Sequence, residues 1–84
     1  MKMANIIGEI TRIESVKNGK ISKNEIYIKS KDEFAKIEFR GVMKKASNNL
    51  KIGDIISVDY KLKGNESKSG CFFTNVIATN ISKL

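Results

Sequence analysis

Through its middle the chain reads Glu25-Ile26-Tyr27-Ile28-Lys29-Ser30-Lys31-Asp32-Glu33-Phe34-Ala35-Lys36-Ile37-Glu38-Phe39-Arg40, and this stretch decides the fold. Ile26 and Ile28 fall on one side of an alternating pattern and Glu25, Tyr27 and Lys29 on the other, the period-two signature of a half-buried strand. After the polar segment Ser30 to Glu33, residues Ala35, Ile37 and Phe39 alternate with Lys36, Glu38 and Arg40. Two adjacent strands of this kind turn their apolar sides inward and share one exposed surface, expected to be mostly basic.

Working outward, the first apolar segment is Ile6-x-Gly8-x-Ile10-x-x-Ile13, a period of two that slips by one near Thr11-Arg12. Such a slip predicts a bulge that bends the strand, and Gly8 on its inward side fits a crowded corner. Asn18-Gly19, within the polar run Lys17 to Lys23, signals a loop or hairpin. From Gly41 to Asn49 the alternation stops, and Val42-Met43-Lys44-Lys45-Ala46 with Leu50 has weak helical spacing, enough for a short helix or an irregular link. Ile52-Gly53-Asp54 turns the chain into Ile56, Val58, Tyr60 and Leu62, which alternate with Ser57, Asp59, Lys61 and Lys63. Gly64 to Gly70 reads as a loop, and Phe72 to Ala78 as a last strand ending near Ile81. Parity with Val76 and Ala78 sends Phe72 inward and Phe73 outward.

Three strands, a short link and two strands make an all-β chain whose edges need protection, and closure into a barrel supplies it. The expected architecture is a five-stranded OB-fold barrel with a short helix or irregular link between strands 3 and 4. All 84 residues form a single domain, because so short a chain buries only about 60–65% of its unfolded surface and cannot divide that core. In this fold the loops best placed to grip a ligand are Lys17 to Lys23 and Asn65 to Gly70.

The charge is +7 and the sequence pI about 9.7, with lysine supplying all the positive charge except Arg12 and Arg40. A surplus of this size on a small body attracts polyanions by a salt-sensitive term, so nucleic acid is the first partner to consider. Histidine is absent and Cys71 stands alone, which leaves no His-dependent triad, no intramolecular disulfide and no cysteine metal cage. Asp32-Glu33 lies in a turn-like polar run, and Gly64 and Gly70 lack the Lys-Ser/Thr that a phosphate cradle needs. The sequence therefore predicts neither enzyme nor cofactor. No apolar run approaches the length of a membrane span, and a cytoplasmic location in a reducing compartment is expected.

Three segments carry a resemblance: Ile6-x-Gly8-x-Ile10, then Leu50-Lys51-Ile52-Gly53-Asp54-x-x-x-Val58, then Gly70-x-Phe72-Phe73-Thr74-x-Val76-x-Ala78. In this order the chain resembles the single-stranded-DNA-binding protein family of OB-folds. Family members often carry tryptophan where bases stack; here tryptophan is absent and Arg40-Gly41-Val42-Met43 follows the third strand. The resemblance implies a largely sequence-independent grip on single-stranded DNA in replication, recombination or repair. It also implies a homo-oligomer, dimer or tetramer, for which Ile7 or Phe73 would serve as contacts. An OB-fold that prefers RNA, or an assembly domain whose sheet meets a protein, are the alternatives.

Binding to a single strand of any sequence needs cations along a groove and aromatic faces for bases. Tyr27, outward between Glu25 and Lys29, is the leading stacking residue, with a surface pair that shields the sheet as the other reading. Phe34 either caps the barrel or faces the ligand, and Phe73 either stacks on a base or fills a contact between copies. Phe39 and Tyr60 are expected in the core. Lys29, Lys36 and Arg40 share the outward face of strands 2 and 3 and are the expected phosphate contacts. Lys20 and Lys23 from the first loop, with Lys63 and Lys68 around the last, are placed to close over the strand. Arg12, where the first strand bends, would stack or pair with phosphate.

Overall fold

A computed structural model describes residues 4–84. The order of elements is β1 (Ala4–Asn18), β2 (Ile21–Ser30), β3 (Glu33–Arg40), α1 (Val42–Ser47), β4 (Ile55–Glu66) and β5 (Phe72–Lys83). The strands close into a barrel in the order β1-β2-β3-β5-β4, with every pairing antiparallel except β3 with β5. This is the expected OB-fold, with its helix between the third and fourth strands.

β1 makes closure possible because it belongs to both sides of the barrel. Ala4 to Glu9 pair with β4, while Glu9 to Asn18 pair with β2. Early in the β2-paired half the register shifts between Ile10 and Arg12, the bulge that the slipped period implies. Gly8 sits just before it against β2: a Cβ there would stand 2.6 Å from the Lys29 carbonyl oxygen and collide with the Ile28 side chain. Only a residue with no side chain lets the strands approach so closely.

The core is a β-branched cluster of Ile10, Ile26, Ile28, Ile37, Ile56 and Val58, with Phe39 and Ala78. Met43 of α1 and Leu50 pack against it from one end. A buried asparagine ties that helix down: Asn24 donates from Nδ2 to Ser47 Oγ at 2.7 Å and to Asn48 Oδ1 at 3.2 Å, and its Oδ1 accepts from Ser15 Oγ at 3.0 Å. The link from α1 to β4 is held on β1, with Gly53 N–H donating to the Ile10 carbonyl at 2.8 Å and Ile10 N–H to the Asp54 carbonyl at 2.9 Å.

Several boundaries differ from the sequence expectation. The loop expected over Lys17 to Lys23 is a tight turn at Gly19-Lys20, because β1 and β2 stay paired out to Asn18 and Ile21. Lys23 consequently lies within β2 rather than in a loop. The last loop is shorter as well: β4 continues through Gly64 to Glu66, paired with Phe72. This β4–β5 hairpin runs past the end of the core. Leu62 is therefore exposed and Tyr60 only half-buried, and Phe72, expected inside, is 69% exposed. Phe72 shares a face with Val76, as alternation implies, but there is no core at its depth.

Candidate nucleic-acid interface

The outward side chains of β1, β2 and β3 form rows across the strands, because antiparallel partners at matching positions point the same way. Glu9, Lys29 and Phe34 stand in one row, Arg12, Tyr27 and Lys36 in the next, Glu14, Glu25 and Glu38 in a third, and Val16, Lys23 and Arg40 in a fourth. Beyond β3 the sheet continues to β5, which comes two elements later in the chain, runs parallel to β3 and meets it at Glu38 and Ile77. On β5, Phe73 and Asn75 precede Ile77 at alternate positions and so share its face. Across β5, the partners on β4 are Asn65 for Phe73, Lys63 for Asn75 and Lys61 for Ile77.

The first two rows thus bring together Lys29 with Phe34 and Arg12 with Tyr27 and Lys36. Phe73 and Lys63 stand on the β4–β5 hairpin, outside these rows. Phe34 is 73% exposed and Phe73 56%, so neither ring serves the core. Two rings already sit beside cations: the Arg12 guanidinium is 5.1 Å from the Tyr27 centroid, and Lys29 Nζ is 5.8 Å from that of Phe34. A nucleobase recruits the same combination of flat apolar face and positive edge.

Lys20 occupies the tip of the β1–β2 turn, beyond the row of Lys23 and Arg40, and Lys68 the tip of the β4–β5 hairpin. The second tip is internally braced: Ser67 N–H donates to the Cys71 carbonyl at 2.8 Å, and Gly70 N–H to the Ser67 carbonyl at 3.0 Å.

Lys23 and Arg40 are separated from the other candidates by the glutamate row, and the face as a whole is less basic than expected. Arg12, Lys23, Lys29, Lys36 and Arg40 stand among Glu9, Glu14, Glu25 and Glu38, a surplus of a single positive charge. Most of these cations have carboxylate partners. Arg12 pairs with Glu14, Lys36 with Glu25 at 3.5 Å, Lys23 with Glu38 and at 4.0 Å with Glu25, and Arg40 with Glu38 at 2.8 Å. Glu38 is the focus of the network and only 3% exposed. Burial pushes its carboxyl upward, but hydrogen bonds from Lys23 and Arg40, with their charges, outweigh that and hold it below the usual range.

The sequence contains these glutamates at outward positions, yet their opposition across three strands depends on register. Phe72 is a further exposed ring that alternation alone does not reveal. It lies over Gly64 of the neighbouring strand, where a Cβ would come within 2.5 Å of its ring. Among the described residues no group of three or more His, Cys, Asp or Glu side chains is placed to hold a metal ion. No described helix is long and apolar enough to cross a membrane.

A closed five-stranded barrel with this strand order and a short helix between the third and fourth strands defines the class as an OB-fold. Among solved structures the chain is similar to the second single-stranded DNA binding protein, SSBb, of Mycobacterium smegmatis. That match has a TM-score of 0.76 at 19% identity and covers 99% of this chain and 86% of the other. It is also similar to the mitochondrial single-stranded DNA binding protein Rim1 of S. cerevisiae, with TM-scores of 0.54 at 16% identity and 0.59 at 14% in two structures, each covering 100% of this chain and 97% of the other. No family model and no curated protein matches the sequence. At these identities the likeness is one of fold: the chain has the OB-fold in the form those proteins share.

Proposed function

We propose that this domain binds single-stranded DNA, largely without regard to base sequence, along the outer face of β1, β2 and β3 and onto the β4–β5 hairpin. The observation that carries the reading is the alignment of rings and cations in two adjacent rows, Lys29 with Phe34 and Arg12 with Tyr27 and Lys36. A single strand presents bases that need stacking partners and phosphates that need cations at regular intervals, and every base offers a π-face. Backbone hydrogen bonds between the strands leave this face free of main-chain donors that would read base edges, which favours tolerance of sequence.

The structural neighbours support the same reading, since the mycobacterial and yeast proteins are single-stranded DNA binding proteins. In this reading the protein acts as a homo-oligomer that covers exposed strands during replication or repair, with Ile7, 50% exposed on β1, as an apolar contact between copies. No catalytic step is assigned to it.

Fluorescence anisotropy with oligo-dT at two salt concentrations tests the function. Binding at low salt that weakens steeply as salt rises, with similar affinity for mixed sequences, is the expected result. Failure to bind oligo-dT at low salt overturns it, and tighter binding to an RNA of equal length replaces DNA with RNA as the ligand.

A further inference from the structure

We infer that the glutamate row Glu14–Glu25–Glu38 sets the path of the bound strand, holding Lys23 and Arg40 out of phosphate contact and confining the polyanion to the Tyr27 and Phe34 levels. The inference rests on the single-strand-binding reading above and adds a boundary to it.

Three carboxylates directly opposite one another across three strands repel, and a sheet keeps such a row only where cations neutralise it. Here each has at least one: Arg12 on Glu14, Lys36 and Lys23 on Glu25, Lys23 and Arg40 on Glu38. The side chains of Glu25 and Glu38 are only 13% and 4% exposed, so neither can swing into solvent when a competing anion arrives.

The two sides of the row differ in consequence. Lys36 and Arg12 are 51% and 64% exposed, and a phosphate that draws on them leaves no buried carboxylate unpaired, since Glu25 keeps Lys23 and Glu14 is itself partly open to solvent. Lys23 is largely covered and bonds Glu38 directly, and Arg40 bonds the same oxygen, Oε1. Drawing both toward a phosphate would leave Glu38 buried and unpaired, a larger loss than an exposed phosphate contact returns. Phosphate approaching from the Tyr27 side also meets the negative row before it reaches them. Lys23 and Arg40 are therefore positioning residues for Glu38.

The test is the slope of log affinity against log salt for oligo-dT. Lys29→Gln and Lys63→Gln should each lower the slope by about 0.7, the value for one phosphate contact on a single strand. Lys23→Gln and Arg40→Gln should leave it unchanged and affinity within about two-fold. Glu38→Gln, by releasing both cations, should raise affinity and steepen the slope. Should Lys23→Gln unfold, Arg40→Gln carries the same comparison, since Lys23 still neutralises Glu38 there. If Lys23→Gln or Arg40→Gln lowers the slope as Lys29→Gln does, or Glu38→Gln fails to raise affinity, the boundary is wrong while strand binding stands. If the unaltered protein itself does not bind oligo-dT, the failure belongs to the function.

Discussion

The guanidinium of Arg12 lies over the ring of Tyr27, 5.1 Å from its centroid, although the two residues come from different strands. The β1 bulge at Ile10/Arg12 creates the contact by returning Arg12 to the outward face opposite Tyr27. A base arriving at this level meets a cation already stacked on a ring. Tyr27→Ala should weaken oligo-dT binding by about 1–3 kcal/mol. Because Arg12 depends on the ring for its position, Arg12→Ala and the double variant should form a non-additive cycle in anisotropy titrations. Additive losses would mean that the two residues bind independently.

Gly8 and Gly64 make a contrasting pair. A Cβ on Gly8 would stand 2.6 Å from a backbone oxygen, that of Lys29, in the closed wall of the barrel. Backbone cannot yield without opening the β1–β2 ladder, so Gly8→Ala should lower stability by about 1–3 kcal/mol in urea unfolding. At Gly64 the nearest obstacle is the far end of the exposed Phe72 ring. That ring can swing away, and Gly64→Ala should leave the urea midpoint nearly unchanged. Equal losses at both positions would contradict the distinction.

The ease of reading Gly8 from sequence shows what pattern alone can reach. Alternation sets the side of most residues in β1 to β4, and the slipped period marks the β1 bulge, because both are local consequences of the pleat; the second register shift, at Thr79 of β5, leaves no such mark. The outward direction of Tyr27, Lys29, Lys36 and Arg40 followed in the same way. Distance along the strand did not. Phe72 has the parity of Val76, but only the length of the β4–β5 pairing reveals that it lies past the core. The glutamate row was hidden for a related reason: Glu25 and Glu38 become direct neighbours only once the turn at Lys31-Asp32 sets Ser30 opposite Glu33. The outward charges of β1, β2 and β3 sum to a single positive charge, and register is what collects three of the glutamates into one row.

Glu38 gives the fold a predictable response to acid. Its carboxyl is held below the usual range by Lys23 and Arg40 despite burial. A group with a depressed folded-state pKa stabilises fully above the titration of an unfolded glutamate, about 4.3, and the contribution disappears as pH falls through its own lower value. Asp54 is lowered too, by the Lys51 backbone N–H and by Lys83, and acts in the same direction. Denaturant unfolding between neutral and strongly acidic pH should therefore show a steep loss for the unaltered protein and a shallower one for Glu38→Gln. Identical pH dependence in the two proteins would remove Glu38 from the account.

The parallel meeting of β3 and β5 leaves a polar group that a substitution should improve. Two residues beyond the Glu38–Ile77 pair stand Arg40 and Thr79, and both the Arg40 Nε and the Thr79 hydroxyl oxygen are buried without a hydrogen-bond partner among the described residues. Arg40 cannot be spared, because its terminal nitrogen holds Glu38. Thr79 has no such task. It falls where the β4–β5 register shifts, between Ala78, paired with Tyr60, and Asn80, paired with Asp59. A buried hydroxyl without a partner costs about 1–3 kcal/mol, while its methyl group and β-branching suit a strand. Thr79→Val keeps the shape and removes the unsatisfied oxygen. It should raise the urea midpoint, with a gain of about 1 kcal/mol and no change in oligo-dT affinity. A loss of stability would reveal that the hydroxyl has a hydrogen-bond partner in solution.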